Sequence, residues 1–386
     1  MKNKFTHLNL DLFLPEFDST ITDTILGLEI FRISPLGGKV NPQLFFQLKE
    51  VFHYFESLSS ARIEGNNTTL SEYINTKIEK PEAKYENINE INNMTEAMTF
   101  IEDNINDSNF IINRSFISQL HILVTKDLNR EGSESPGEYR KTKVTIKKSN
   151  HVPPNPEKLI DYMEEFFEFI NESRPNKVNL LIIAIAHHRF TWIHPFDNGN
   201  GRVVRLLTYT MLIRDGYDVK TGRILNPSAA FCIDRSKYFE MLALADSGGK
   251  ENTLLWCNYV LTGLQDEFSK ILKLLNKEYL IDKFFIPALK KSYEVKFISK
   301  EEHAILKHSL NNKFQEFESK DILKIFPDWS AVKRSRIIKK MRDKEILTVS
   351  HFNKQRYLIN IIGNHLLREV LDCLDNEGFL NSAIKN

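Results

Sequence analysis

Residues 191–212 read TWIHPFDNGNGRVVRLLTYTML. Upstream, the apolar run from Leu180 to Trp192 has the length of a buried helix and delivers His194 to its end. A compact loop, Pro195 to Gly201, follows, and Arg202 and Arg205 open a second apolar helix. This is the outline of a phosphate site beside a base. Gly199 and Gly201 let the backbone approach a ligand, and the free N–H groups at the start of the second helix point at an anion held there. Two arginines three apart share a helix face, so both guanidinium forks reach one polyphosphate. A histidine beside such a nest takes a proton from an attacking hydroxyl at neutral pH. Taken singly, a Gly-Asn-Gly turn, a histidine beside proline and two arginines at helical spacing are ordinary; their conjunction at fixed spacing is not.

Outward from this stretch, apolar residues at helical spacing dominate from Leu44 through Leu274, and strand-like alternation is scarce. The expected fold class is mainly α. One interruption, GEYRKTKVTIKKSNHVPPNP (137–156), alternates around Val144 and Ile146 before a Pro-rich exit; it predicts a small β-hairpin lying over the helical body. In FESLSSARIEGNNTT the helical pattern runs to Ile63 and Gly65-Asn66-Asn67 ends it, which puts Glu64 at a helix terminus, free to project into a neighbouring site.

The chain changes character near Asn276 to Lys300. Between Lys283 and Arg356 there are 18 Lys and Arg against 9 Asp and Glu, although the 386-residue chain as a whole carries only +1. A surplus of 9 here leaves about −8 for the remainder, an asymmetry that marks a separate module. Its pattern is helix (Glu301 to Leu310), helix (Ser319 to Ile325), helix (Ser330 to Lys344) and two short strands in ILTVSHFNKQRYLINI, the order of a winged helix-turn-helix. Lys333, Arg334, Arg336, Lys339, Lys340 and Arg342 crowd the third helix, so DNA is a candidate partner; a protein-docking or structural winged helix is the competing reading. Three divisions follow: an N-terminal helical region (1–95), a catalytic core (96–275) and the basic module (285–386).

With 41% hydrophobic and 27% charged residues the composition is that of an ordinary globular protein. Cys232, Cys257 and Cys373 lack metal-ligand spacing and read as reduced, buried thiols, which points to a cytoplasmic setting. The longest apolar run, Leu180 to Ala186, is far short of the roughly 20 residues that span a bilayer, so no membrane partner is expected. An apolar face on the N-terminal helices would suit a homodimer, although sequence does not separate an interface from a core.

HPFDNGNGRVVR resembles the signature of the Fic (filamentation-induced-by-cAMP) family, His-x-Phe-x-Asp/Glu-Gly-Asn-Gly-Arg-x-x-Arg. SPGEYRKTKVTI is similar to the Gly-x-Tyr-Arg segment and target-docking flap of these proteins, AHHRFTWIHPF to the helix that feeds the signature, and SSARIEGNNTT to the inhibitory motif Ser/Thr-x-x-x-Glu-Gly/Asn. Together the matches cover roughly residues 40 to 270. The resemblance implies a protein adenylyltransferase that uses ATP with Mg²⁺ to place AMP on a Ser, Thr or Tyr hydroxyl of a target protein or of itself. On that reading His194 is the general base and Phe196 pins the loop to the core. Asn200 and the amides of Gly199 to Gly201 line the anion hole, Arg202 holds the β phosphate and Arg205 the γ phosphate. The hairpin around Val144 and Ile146 would pair with the target, while Ser60 and Glu64 would form the inhibitory motif, Glu64 pairing with Arg205. The sequence departs from the family at the metal ligand: Asn198 stands where Asp or Glu is usual, with a carboxylate one position earlier at Asp197. Two other functions stay open, a DNA-binding regulator whose core senses nucleotide with little turnover, and a phosphotransferase of the Doc type, against which the intact Gly199-Asn200-Gly201 argues.

Overall fold

The computed structural model describes residues 5–33, 40–79, 85–107, 109–146, 149–217 and 225–380. The helices in order are α1 (Thr20–Ile33), α2 (Pro42–Glu64), α3 (Leu70–Glu79), α4 (Glu86–Asn104), α5 (Arg114–Thr125), α6 (Leu159–Asn171), α7 (Asn179–Ile193), α8 (Asn200–Arg214), α9 (Pro227–Cys232), α10 (Arg235–Ala245) and α11 (Lys250–Leu274). Then come α12 (Lys277–Leu280), a π turn (Ile281–Phe285), α13 (Ile286–Glu294), α14 (Lys300–Asn311), α15 (Ala331–Asp343) and α16 (Leu366–Asn376).

At the centre lie α7 and α8, packed against each other. Thirteen of the fifteen residues of each are buried, so both are wetted on almost no face and must sit inside other helices. Around them pack α6 and α11 against α7, and α2, α4, α5 and α9 against α8. The outer helices show the amphipathic pattern instead: α6 buries Leu159, Met163, Phe166, Phe169 and Ile170 and exposes Asp161, Glu164 and Glu168 between them.

Helix α2 is long and buries sixteen of its 23 residues. Asn41 caps its start, Oδ1 accepting from the amides of Gln43 (2.9 Å) and Leu44 (3.4 Å). Gly65 ends it in the left-handed region (φ 103°), its N–H donating to Arg62 O while the Asn66 N–H donates to Ala61 O. That geometry suits glycine and stops the helix one residue after Glu64.

The expected hairpin at 137–156 is not formed among the described residues. Residues 143–146 belong to no helix or strand; Val144 and Ile146 are half-buried while Lys143 and Thr145 face solvent, and no strand pairs with them. The alternation was real; it reflects one chain lying along a helical surface rather than two strands bonding each other. Residues 147 and 148, where a hairpin turn would fall, lie outside the described residues.

At the C-terminal end α14, a 3₁₀ turn (Ser319–Lys324), α15, β2 (Leu347–Val349) and β3 (Arg356–Ile359) follow in the order expected from the sequence, with an unexpected short strand β1 (Phe317–Glu318) ahead of the turn. The strands form one antiparallel sheet of order β1-β3-β2, with Phe317 opposite Tyr357 and Leu347 opposite Ile359. The segment expected as Ser319 to Ile325 helix is the tighter 3₁₀ form, and α13 packs back on α16.

Candidate active site

The candidate corner is built where α7 stops and α8 starts. His194 caps α7 in the left-handed conformation (φ 51°, ψ 60°), its amide still donating to Phe190 O at 3.0 Å. A non-glycine residue in this region is strained and needs outside restraint. Arg140 supplies it: Nε donates to the His194 carbonyl at 2.8 Å, Nη2 to Pro154 O at 2.7 Å and Ile193 O at 3.4 Å, Nη1 to Thr142 O at 3.0 Å, and its amide to Pro195 O at 2.9 Å. One buried guanidinium therefore ties the histidine to both ends of the 142–154 segment. Burial among these carbonyls pulls the Arg140 pKa down to about 10. The His194 imidazole is held down to about 4, first by burial. It is neutral at pH 7, as a base requires. Its Nδ1 faces Thr191 O at 3.4 Å, which leaves Nε2 as the free lone pair.

Phe196 is fully buried and stacks on His121, ring centroids 3.8 Å apart and planes 2° from parallel. His121 also accepts from the Gly137 amide at Nδ1 (2.8 Å) and meets Asn198 O at Nε2 (3.1 Å), so one imidazole fastens the loop, the aromatic pin and the Gly-x-Tyr-Arg segment together. Burial lowers its pKa to about 4, consistent with a neutral ring donating at one nitrogen and accepting at the other. The sequence left His121 unnoticed because it sits in the apolar pattern of α5, where a core histidine looks like any other packed residue.

Gly199 (φ 73°) starts α8, and the first bond inside that helix is Val203 N to Gly199 O at 3.0 Å. The amides of Asn200, Gly201 and Arg202 thus form the helix's unpaired end. The Asn200 side chain does not point into that nest. Its Oδ1 accepts from Phe196 N and its Nδ2 donates to Phe196 O, both at 2.9 Å, so it braces the loop instead.

The two arginines part company. Arg205, 1% exposed, donates from Nε to Ser60 Oγ at 2.7 Å and from Nη2 to Ser60 O (3.1 Å) and Glu64 Oε1 (2.7 Å). Ser60, Glu64 and Arg205 are thus one cluster. Burial pushes the Glu64 pKa up, but Arg205 outweighs it and the carboxyl ends below its ordinary range. Burial likewise works against the Arg205 charge and Glu64 outweighs it, leaving the guanidinium above its usual value. The carboxylate lies over the helix end: a methyl group built on Gly201 would fall 2.0 Å from Glu64 Oε1. Arg202 turns the other way. Its guanidinium donates to Val124 O (2.9 Å) and Glu131 O (2.5 Å) and lies 3.6 Å from Glu90, so its fork is not presented to the corner in this state.

Neither residue considered for a metal is arranged to hold one. Asp197 accepts from Ser133 Oγ (2.6 Å), Glu134 N (3.0 Å) and Asn198 N (2.9 Å). Asn198 donates to Gly132 O (3.1 Å) while its Oδ1 accepts from Gly199 N (2.8 Å). Both side chains latch the loop to residues 130–134, and among the described residues no group of three or more His, Cys, Asp or Glu could hold an ion. In this state both side chains are engaged with the loop, and a Mg²⁺ here would draw most of its oxygens from the phosphates it accompanies and from water.

One further acid went unread in the sequence. Glu56, two turns before Glu64 on α2 and fully buried, accepts from Ser228 N at 2.8 Å and from the Ser228 hydroxyl. Burial raises it to about 7. Beside Glu64, a cavity of about 310 Å³ opens between the end of α2 and the α9–α10 junction, lined by Arg62, Ile63, Gly65, Cys232, Asp234 and Arg235.

Fold and corner together define a helical protein with an anion-receptive glycine corner next to a neutral histidine, obstructed by a carboxylate from another helix. Residues 111–212 match the Fic/DOC family, which identifies a Fic domain in this chain. Over 207 residues the chain is 32% identical to the protein adenylyltransferase Fic of Drosophila grimshawi, and over 200 residues 31% identical to that of Nematostella vectensis. Each match covers 50% of this chain but only 38% and 44% of those proteins, so the chain spans less than half the length of these relatives. The fold is shared with a Fic family protein from Desulfovibrio desulfuricans (TM-score 0.56, 19% identity, 90% of this chain and 98% of that one). It is also shared with a Fic-domain signalling protein from Bacteroides thetaiotaomicron (TM-score 0.53, 18% identity, 67% and 97%).

Proposed function

We propose that this chain is a protein adenylyltransferase, transferring AMP from ATP to a Ser, Thr or Tyr hydroxyl of a target protein or of itself, and that Glu64 holds it inactive. The observation that carries the reading is the Glu64–Arg205–Ser60 cluster seated on the open end of α8, within the corner that His194 borders. A carboxylate placed there takes the position and the guanidinium that a terminal phosphate of ATP would need. With Glu64 withdrawn, Arg205 receives the γ phosphate and the amides of Asn200 to Arg202 receive charge nearer the reacting phosphorus. The target hydroxyl attacks the α-phosphorus, the bond to the bridging oxygen breaks, pyrophosphate leaves and His194 Nε2 takes the hydroxyl proton. The cavity of about 310 Å³ beside Glu64 has room for the base. Arg202 would join only by giving up its carbonyl partners. No step is assigned to a metal. The stretch at Val144 and Ile146, which belongs to no strand of this structure, offers backbone to a target segment by strand addition.

Incubation with ATP labelled separately at the α and γ positions tests this. Label from the α position on protein supports AMP transfer. Label from γ alone replaces it with Doc-type phosphotransfer, and none from either, with Glu64 removed, replaces it with nucleotide sensing.

The division into 1–95, 96–275 and 285–386 and the winged-helix reading of the last part belong to the same proposal. Its DNA-binding form is favoured by α15, where Lys333, Arg336, Lys339, Lys340 and Arg342 are exposed. A salt-dependent mobility shift of duplex DNA by the full chain tests it, and no shift at low ionic strength retires it. Among the described residues no helix is long and apolar enough to cross a membrane; a cytoplasmic setting and a homodimer are part of the proposal only.

A further inference from the structure

The helix that ends in Glu64 is gripped at its other end by the C-terminal module. Gln43 and Gln47, one turn apart on α2, each treat the module's sheet as a strand would. Gln43 Nε2 donates to Val349 O (3.0 Å) and its Oε1 accepts from His351 N (2.9 Å). Gln47 Nε2 donates to Ile359 O (2.9 Å) and its Oε1 accepts from Ile361 N (2.8 Å). The cap residue joins them: Asn41 N donates to Gln315 Oε1 (2.6 Å), and Asn41 Nδ2 donates to Phe314 O (2.9 Å) and Glu316 Oε1 (3.0 Å). Farther along, Phe52 meets Phe379 edge to face with centroids 6.4 Å apart. Between the two ends α2 is also tied to α4, through Ser57–Thr95 (3.0 Å) and through His53 and Lys49, which both reach Glu102.

We infer that the C-terminal module is the clamp that seats Glu64 in the catalytic corner, and that release of the module from Asn41, Gln43 and Gln47 switches the enzyme on. The inference rests on the inhibitory reading of Glu64. A helix transmits displacement along its axis because its backbone bonds are closed within it, and α2 has no proline after its first residue and no glycine before Gly65. Gln47 and Glu64 stand seventeen residues apart, about 25 Å along that rod. The grip is unusually specific for a surface of side chains. Amides that both donate to and accept from a sheet backbone fix register as well as contact, so the module cannot slide along α2 without breaking both pairs. Between α2 and α15 runs an open groove of about 1040 Å³, walled by Phe46, Gln47 and Glu50 on one side and Lys339 and Arg342 on the other. Anything that engages this face of the basic helix therefore meets the inhibitory helix too.

The test uses the full chain as wild type, Gln43→Met/Gln47→Met, Glu64→Gly and the triple variant, with incorporation of α-labelled ATP into the chain and amide exchange of residues 58–64 read on each. Methionine keeps length and helix preference and removes both amides. The clamp variant is expected to raise incorporation on the order of fivefold, the low end of coupling between sites, and to speed exchange at 58–64. The triple variant is expected to match Glu64→Gly, since both act on one restraint. Should Gln43→Met/Gln47→Met perturb folding, the single change Gln47→Glu, which keeps one acceptor and loses the donor, is read the same way. If Glu64→Gly activates while the clamp variants match wild type in both incorporation and exchange, the clamp is refuted and inhibition by Glu64 stands. If Glu64→Gly itself changes nothing, both fall.

Discussion

Glu64 Oε1 accepts from Arg205 Nη2 at 2.7 Å although the two residues are 141 positions apart, and it does so directly above Gly201. Arg205 is 1% exposed and bonded to Ser60 at Nε and Nη2, so Glu64 is its charged partner in this buried setting. A buried guanidinium deprived of its anion recruits another, and the end of α8 is where a phosphate would come to rest.

Glu64→Gly is therefore expected to raise α-label incorporation, self-modification included, by about tenfold or more, at a rough 1.4 kcal/mol per decade for a charge-assisted pair relieved. His194→Ala is expected to abolish it in either background. Incorporation measured side by side on the two variants checks this; equal activity in both contradicts it.

Arg140 touches no reacting atom in this geometry; it holds the carbonyls of Ile193 and His194 and so the left-handed turn that aims the imidazole. Arg140→Met in the Glu64→Gly background is expected to lower kcat by about 10- to 100-fold, the penalty for a base displaced by an ångström or so, with KM for ATP little changed. A loss confined to KM would contradict the positioning role.

The pH profile should carry the mark of burial at His194. A free imidazole loses base function below about 6.5, whereas His194, held down to about 4, stays neutral through the acidic range. In the Glu64→Gly variant kcat/KM is expected to show no inflection near pH 6.5 and to fall only toward pH 4. Loss of Glu64 moves the pKa in the same direction, since its negative charge favours the protonated ring. An acid limb centred near 6.5 would contradict this environment.

Glu56 gives a stability signature. Its carboxyl ionises near 4.5 when unfolded and near 7 in the fold, so the folded state holds the proton longer and the stability this confers is lost as pH rises through about 7. Glu56→Gln stays neutral while keeping an acceptor for Ser228. It is expected to gain on wild type by up to about 3 kcal/mol between pH 5 and pH 8. Denaturant unfolding at the two pH values measures the gap; a constant gap would contradict it.

Much of the molecule was legible in advance because its signals were local. The apolar runs flanking 194–201 gave the central helix pair, and Gly65 marked where α2 must stop. The three elements ending in a hairpin after Lys344 also followed from pattern. What escaped were relations made in three dimensions. The Val144–Ile146 alternation could not say whether the facing surface was a strand or a helix body. His121 and Arg140 act by reaching loops far along the chain, and nothing near them in sequence names those loops. Arg202 and Arg205 have matching spacing, but α8 rotates about 100° per residue and the residues around each differ, so one meets Glu64 and the other the carbonyls of Val124 and Glu131.

The proposal that the corner from His194 to Arg205 receives a triphosphate is tested most directly by the crystal structure of the Glu64→Gly chain with a non-hydrolysable ATP analogue. Expected is the γ phosphate on Arg205, the remaining phosphates against the amides of Asn200 to Arg202, and His194 Nε2 facing the α-phosphorus from the side opposite the leaving group. A nucleotide bound elsewhere with that corner empty, or an imidazole turned away from the phosphates, would contradict it.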